Sequence, residues 1–81
     1  MNNIAVIGSG SWGTALAIVL ADNGYQVKLW SRREEQVEEI NECHTNQKYL
    51  PDVVLPATIQ ASTSFSEVLK ETRYVLLVIP T

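Results

Sequence analysis

The amino-terminal third of the chain places short apolar runs on either side of a helical pattern. Residues 4–7 are a continuous apolar run that stops at Gly8, which is typical of a strand buried on both faces of a parallel sheet. In residues 14–23 the apolar side chains recur at helical spacing, and Gly24 follows where a left-handed cap is expected. Residues 27–30 are extended again, so the segment predicts a βαβ unit with a right-handed crossover.

The remainder of the chain predicts two more helices and two more strands. Residues 34–42 are rich in glutamate, with Val37 and Ile40 on one helical face. The stretch 41–56 contains two prolines and is predicted to lack regular structure. A short strand over 58–62 is followed by a short helix over 67–72, capped by Ser64 or Ser66. The run 74–79 is the strongest strand signal, and Pro80 ends it.

The predicted order βαβαβαβ belongs to the α/β class. It corresponds to the first half of a Rossmann-type, three-layer, doubly wound parallel sheet with strand order 3-2-1-4. We expect residues 1–81 to be the N-terminal part of such a domain, with the rest of that domain absent from this chain. The fourth strand would then be an apolar sheet edge, which predicts self-association through residues 74–79.

Composition and charge narrow the possible partners. Apolar residues make up 46% of the chain, which is typical of a globular protein. Its formal charge of −3 argues against nucleic acid or anionic lipid as the main partner. No apolar stretch approaches the roughly 20 residues that span a bilayer, so no membrane insertion is expected. The N-terminus has no signal-peptide pattern, and one cysteine excludes an internal disulfide. A cytoplasmic location fits these features.

The turn after the first predicted strand reads Gly8-Ser9-Gly10-Ser11-Trp12-Gly13. In a dinucleotide site the first glycine turns the chain, the second lets the diphosphate approach the backbone, and the third allows close helix–strand packing. Free N–H groups at the helix start then bind the phosphate oxygens. The alternative is a structural turn without a ligand. A P-loop is excluded, because no Gly-Lys-Ser/Thr follows.

An arginine pair occupies the end of the second strand, where NAD-specific domains carry an acid. Two guanidinium groups at Arg32 and Arg33 suit a 2′-phosphate, which a carboxylate would repel. We therefore expect NADP(H) to be preferred and NAD(H) to be tolerated. The alternative interpretation is a solvated helix start in which the arginines pair with Glu34 and Glu35.

Other residues with reactive side chains are not expected to carry chemistry. Cys43 and His44 lack the partners of a metal site or a catalytic dyad, and no catalytic residue stands out. Trp12 is an unusual residue for such a turn. It is predicted to shield the diphosphate or to contact a neighbouring domain, with a core aromatic as the alternative.

Four segments together resemble bacterial NAD(P)-dependent glycerol-3-phosphate dehydrogenase. They are Gly-Ser-Gly-Ser-Trp-Gly-Thr-Ala-Leu-Ala at 8–17, Trp-Ser-Arg-Arg at 30–33, Asn-Gln-Lys-Tyr-Leu-Pro at 46–51 and Val-Ile-Pro-Thr at 78–81. The resemblance covers the whole chain, and the third segment is its most discriminating part. It implies cofactor contacts at Ser11, Trp12, Arg32, Arg33 and Tyr49, with Pro80 near the nicotinamide-side strand end.

The resemblance also implies an activity for the longer protein. This is hydride transfer between NAD(P)H and dihydroxyacetone phosphate, a small phosphorylated substrate, to give sn-glycerol 3-phosphate for phospholipid synthesis. In the family the substrate-handling lysines lie beyond Thr81 in a helical domain, so this polypeptide alone is expected to be inactive. Another β-hydroxyacid-type dehydrogenase and a non-catalytic dinucleotide-sensing module remain as alternatives.

Overall fold

The computed structural model describes residues 3–78 and contains one four-stranded parallel sheet. The strands are β1 (Asn3–Ile7), β2 (Gln26–Trp30), β3 (Ile59–Ser62) and β4 (Tyr74–Leu77), and the helices are α1 (Ser11–Asp22), α2 (Glu34–Glu38) and α3 (Phe65–Leu69). A π-helical turn, Glu39–Cys43, continues α2. The spatial order β3-β2-β1-β4 confirms the doubly wound order expected from the sequence.

The core lies mainly on one face of the sheet. Inward-facing residues of β1, β2 and β3 meet buried residues of α1, α2 and the π-helical turn in one cluster: Ile4, Val6, Ala17, Val27, Leu29, Val37, Ile40, Leu55, Ile59 and Ala61. Because side chains alternate along a strand, Lys28 and Trp30 point to the opposite face. There the ring of Trp30 stacks on Phe65 of α3 at 4.4 Å. Helices therefore cover both faces of the sheet.

The helix boundaries differ from the predicted ones in three places. α1 begins at Ser11 rather than at residue 14, because Gly10 is already its N-cap. The second helix continues through Cys43, so the prediction that irregular structure starts at residue 41 was wrong by three residues. α3 spans Phe65–Leu69 rather than 67–72, because the Ser64 hydroxyl accepts the Glu67 N–H at 3.3 Å and caps the helix two residues earlier.

The strands match their predicted positions closely. β1 and β2 are each one residue longer than predicted at their N-terminal end, and β3 is one residue shorter. β4 ends at Leu77, while Ile79 of the predicted run lies outside the described residues. Gly24 has φ +93° just beyond α1, as the predicted left-handed cap requires.

β4 forms an edge of the sheet and is solvent-exposed along its whole length. Among residues 3–78 its one partner is β1, in the register Ile4–Tyr74 to Ile7–Leu77. Leu77 is 66% exposed. The edge position and the apolar surface of β4 are therefore as the sequence predicted.

Candidate functional site

The glycine turn lies where the carboxyl end of β1 meets the start of α1. Gly8 has φ +130°, and a Cβ atom there would lie 2.5 Å from the backbone oxygen of Val78. A Cβ at Gly13 would lie 2.7 Å from the carbonyl carbon of Gly8 and closer still to its oxygen. These two glycines are required by the packing of the turn itself, because no side chain fits at either position.

Gly10 differs from its neighbours, because the fold does not require glycine there. Its φ of −74° is ordinary for any residue, and a Cβ would meet nothing nearer than the Tyr49 ring at 4.0 Å. As the N-cap of α1 it makes no side-chain cap hydrogen bond. A methyl at Gly10 would fit, but it would fill the gap between Gly10 and the Tyr49 ring.

The first amide groups of α1 are available to a ligand. Within residues 3–78, the N–H groups of Gly10, Ser11 and Trp12 have no hydrogen-bond acceptor. The Ser11 hydroxyl does not cap the helix either, because it donates to the backbone oxygen of Tyr49 at 3.1 Å. Free N–H groups and the positive end of the helix dipole favour an anion at this position.

The segment after the π-helical turn folds back against the glycine turn. Asn46 and Leu50 form an isolated antiparallel bridge, and the Tyr49 and Leu50 amides donate to the Asn46 oxygen at 3.1 and 2.8 Å. This tight turn holds the Tyr49 ring 4.0 Å from the position that a Cβ atom at Gly10 would take. Tyr49, which the sequence singled out only by resemblance, therefore lies at the glycine turn.

A cleft of about 160 Å³ lies between the second helix and the segment 46–49, near the end of β2. Its walls carry two cations, two carboxylates and three neutral side chains: Arg33, Lys48, Glu35, Glu39, Gln36, Asn46 and Tyr49. The Glu39 carboxylate accepts hydrogen bonds from the Thr45 hydroxyl at 2.7 Å and from the Gln47 amide at 2.8 Å. One oxygen of the Glu39 carboxylate therefore already accepts two hydrogen bonds from the protein.

The predicted arginines lie at this end of the sheet, but they are not equivalent. Both are exposed, and Arg33 lines the cleft while Arg32 does not. Neither guanidinium group has a hydrogen-bond partner among the residues that the structure describes, so the alternative pairing with Glu34 and Glu35 is absent there. The Arg33 backbone N–H donates to the Ser31 hydroxyl at 3.1 Å.

The remaining predictions for individual residues have mixed outcomes. Trp12 is 77% exposed on the first turn of α1, so its alternative interpretation as a core aromatic was wrong for this chain. Pro80 lies outside the described residues. Within residues 3–78 no group of three or more His, Cys, Asp or Glu side chains could hold a metal ion. In the same range no helix has the length and apolar character needed to cross a membrane.

Sequence reasoning missed the polar residues that support the glycine turn. Gln36 and Asn46 are buried beneath it and bond to Ser9, and Lys48 lines the cleft. Gln36 carried a weak signal, since it is the one neutral polar residue in the run Glu-Glu-Gln-Val-Glu-Glu at 34–39. Nothing in the local pattern linked it to Ser9, which lies 27 residues away.

Comparison with known proteins agrees with this geometry. The family model described as NAD-dependent glycerol-3-phosphate dehydrogenase N-terminus matches residues 3–81. Curated proteins named glycerol-3-phosphate dehydrogenase [NAD(P)+] match the whole chain, with 56% identity in Shouchella clausii and 54% in Bacillus thuringiensis. The chain spans 24% of the length of each of these relatives.

Solved structures give the same result. Glycerol-3-phosphate dehydrogenase from Coxiella burnetii superposes with a TM-score of 0.89 at 40% identity, over 98% of this chain and 24% of that one. The enzyme from Saccharomyces cerevisiae gives a TM-score of 0.89 at 36% identity, over 98% and 26% respectively. The match of the family model over residues 3–81, on a chain with this sheet order and this glycine turn, shows that the chain belongs to the NAD-dependent glycerol-3-phosphate dehydrogenase N-terminus family.

Proposed function

We propose that this chain binds the diphosphate and adenosine ribose of a nicotinamide dinucleotide, as the N-terminal part of the cofactor domain of a longer glycerol-3-phosphate dehydrogenase. The observation that carries the proposal is Gly10, where neither backbone strain nor packing excludes a side chain. Strain and packing therefore give no reason for glycine there, and an N-cap accepts serine or asparagine equally well, whereas a diphosphate resting on the backbone needs the bare Cα. The unpartnered amides of Ser11 and Trp12 supply donors beside it.

The proposed whole-protein reaction is reduction of dihydroxyacetone phosphate to sn-glycerol 3-phosphate, which supplies phospholipid synthesis. When bound, a reduced nicotinamide would supply the hydride for the ketone carbon, and a proton would complete the alcohol. This chain contributes residues that bind the cofactor. We assign the substrate-binding and proton-donating residues to the part of the longer protein that this chain does not cover, so we expect no turnover from the 81-residue chain alone.

Binding measurements on Gly10→Ala test the cofactor site directly. The added methyl occupies the space assigned to the diphosphate, so the affinity for NADH and NADPH should fall at least tenfold. The fold should be intact, because the nearest atoms to that methyl lie at ordinary contact distance. Unchanged affinity in Gly10→Ala, measured by isothermal titration calorimetry, would remove the main support for the proposal.

Activity measurements separate this proposal from its alternatives. The full-length protein should oxidise NADPH or NADH with dihydroxyacetone phosphate and not with non-phosphorylated ketones. Oxidation with a 3-ketoacid instead would favour another β-hydroxyacid-type dehydrogenase. Cofactor binding without oxidation in the presence of any of these ketones would favour a dinucleotide-sensing module.

We further propose that the arginine pair favours NADP(H) over NAD(H). Arg33 lines the cleft, both guanidinium groups lack partners within residues 3–78, and Lys48 adds a second cation to the wall. Charge-assisted hydrogen bonds contribute about 1.5 to 3 kcal/mol each, which corresponds to a factor of roughly 10 to 100 in affinity.

The double variant Arg32→Ala/Arg33→Ala tests this preference. It should weaken NADPH binding about 10- to 100-fold and leave NADH binding within a few-fold, because only NADPH carries the 2′-phosphate. Arg73→Ala is the matched control, since Arg73 is exposed at the opposite end of the sheet, where its N–H donates to Asn3. Equal losses for NADPH and NADH would contradict the assignment.

Self-association of the 81-residue chain is a separate part of the proposal. The outer edge of β4 offers unpaired backbone groups beside exposed apolar side chains, a surface that favours pairing with another strand. Light scattering at high micromolar concentration should show oligomers, and Leu76→Lys should reduce them because an edge lysine opposes strand pairing. A clean monomer of the unmodified chain at that concentration would refute this part.

A cytoplasmic location completes the proposal. Cys43 is free and exposed, so this segment has no disulfide whose formation would need an oxidising compartment. Cell fractionation of the full-length protein, with its activity recovered in the cytosol, is the corresponding measurement.

A further inference from the structure

Five polar side chains form a closed cluster beneath the glycine turn. Four of them, Thr14, Ser31, Gln36 and Asn46, are at most 7% exposed, and Ser9 is half-buried above them. We call them the polar cluster. Buried polar groups destabilise a protein unless they are hydrogen-bonded, so the partners of each member decide what the polar cluster does.

The polar cluster converges on one backbone atom, the carbonyl oxygen of Ser9. It accepts hydrogen bonds from the Gln36 side-chain amide at 2.9 Å, from the Asn46 side-chain amide at 3.1 Å and from the Thr14 hydroxyl at 3.2 Å. Three donors on one carbonyl leave it little freedom to rotate. The Ser9 carbonyl is therefore held facing the interior.

The other hydrogen bonds of the polar cluster fix the donors themselves. The second Gln36 amide hydrogen goes to Asn46 Oδ1 at 3.0 Å, and the second Asn46 hydrogen goes to the Thr14 hydroxyl at 2.8 Å. Gln36 Oε1 accepts from the Ser9 hydroxyl at 2.7 Å and from the Ser31 hydroxyl. Each amide hydrogen has one acceptor, which allows one orientation of each side-chain amide.

The consequence follows from the geometry of the peptide bond. In a trans peptide the C=O and the next N–H point in opposite directions. Holding the Ser9 carbonyl inward therefore turns the Gly10 N–H outward, away from the polar cluster. That N–H has no acceptor within residues 3–78.

We infer that Gln36, Asn46 and Thr14 are positioning residues that aim the Gly10 N–H at the cofactor diphosphate. This inference rests on the proposed function, since it needs a diphosphate at Gly10. Gln36 also connects the two halves of the site: its Oε1 holds Ser31, whose hydroxyl accepts the Arg33 N–H at 3.1 Å. Through this one side chain, the diphosphate turn and the arginine segment keep a fixed spacing.

The variant Gln36→Glu tests the inference with almost no change of shape. A carboxylate keeps both acceptor bonds of Gln36 but presents lone pairs, instead of donors, to the Ser9 carbonyl and to Asn46. At pH 8 the affinity for NAD⁺ and NADP⁺ should therefore fall about 10- to 100-fold, both cofactors alike. The affinity is measured at each pH on protein shown to be folded, because a buried carboxylate also lowers the stability of the fold when it is ionised.

The pH dependence is the distinguishing measurement. A protonated carboxyl regains one O–H donor, so the affinity of Gln36→Glu relative to the unmodified protein should recover as the pH falls. Arg33, Lys48, Glu35 and Glu39 line the same cleft, and the ratio of the two proteins at each pH removes their shared contribution. Oxidised cofactors are the probes because they are stable in acid. A ratio that does not change with pH would overturn the inference.

A pair of milder substitutions covers the case in which Gln36→Glu does not fold. Thr14→Val removes the hydroxyl that donates to Ser9, and Thr14→Ser keeps it. Affinity should drop several-fold in Thr14→Val and stay near the unmodified value in Thr14→Ser. Equal affinities in the two variants would overturn the inference.

A control and a reference separate the remaining explanations. Asn41 also makes two amide hydrogen bonds to backbone, to Ala61 at 2.9 and 2.8 Å, but away from the glycine turn. Asn41→Ala should lower stability and leave cofactor affinity unchanged. If the unmodified full-length protein binds neither NAD⁺ nor NADP⁺, the proposed function and this inference both fall. If it binds them and the cluster variants bind equally well, only this inference falls.

Discussion

The substitution Gly13→Ala tests whether the contact between α1 and the end of β1 sets the stability of the fold. The added methyl would lie 2.7 Å from the Gly8 carbonyl carbon and closer to the oxygen, and both are backbone atoms. No side-chain rotation relieves this overlap. The start of α1 must therefore move away from β1, which disturbs the packing of the buried residues Thr14 and Ala17.

The magnitude follows from two opposing effects. Overpacking that forces backbone shifts costs about 1–3 kcal/mol, occasionally more. Replacing glycine by alanine inside a helix returns about 1 kcal/mol. Because the overlap is with backbone and is buried, we expect the upper part of the first range. The net loss should be about 2 kcal/mol in the free energy of unfolding.

Urea denaturation at low micromolar concentration is the assay, with Gly10→Ala as the matched control. The same methyl added at Gly10 meets only the Tyr49 ring at 4.0 Å, so its effect should stay within the roughly 1 kcal/mol that alanine costs at an N-cap. For a chain of this size, a 2 kcal/mol loss corresponds to a fall in Tm of roughly 8–16 °C. If Gly13→Ala is no less stable than Gly10→Ala, the close-packing argument is wrong.

Three further predictions concern other parts of the fold. Ser64→Ala should lower the free energy of unfolding by about 1 kcal/mol through loss of the α3 cap, whereas Ser66→Ala should change it little; urea titration distinguishes them. Ile40→Val should cost about 0.5–1.5 kcal/mol in the same assay, because Ile40 anchors the π-helical turn in the core. In a Trp30→Phe background, fluorescence from Trp12 should be readily quenched by acrylamide, since that side chain is 77% exposed; protection from quenching would contradict its surface position.

The sequence predicted the fold well where one local signal was enough. Each strand is a short apolar run bounded by turn residues. The first residues of β1, β2 and β3 differ from the predicted ones by one position, and β4 begins where it was predicted. The order of strands followed from the alternation of strands and helices, because parallel strands joined by right-handed crossovers leave few arrangements. The glycine turn was located by its position between a strand and a helix.

Helix ends were harder to predict, because the hydrophobic pattern begins inside a helix rather than at its cap. The regular apolar spacing in α1 starts after Gly13, so the first turn, which begins at Ser11, was invisible to periodicity. The π-helical turn was missed for a similar reason, since Val37 and Ile40 suit either an α-helix or a widened one.

The polar cluster could not be predicted from local pattern at all. Its hydrogen bonds join residues 5, 10, 27, 32 and 37 positions apart, and its members look like ordinary surface polar residues in the sequence. Only the tertiary arrangement brings Gln36 and Asn46 under Ser9. The resemblance had indicated the segment beginning at Asn46 as discriminating, but gave no physical reason for the asparagine.

The tight fit of Gly8 and Gly13 against neighbouring backbone makes the bend rigid, and this rigidity affects how a ligand binds. A bend that is already fixed by its own backbone packing loses almost no conformational entropy when an anion binds. The entropic cost of ordering the bend has already been met during folding. The bend should therefore have the same backbone geometry before and after the anion binds. Binding should not require a loop to close.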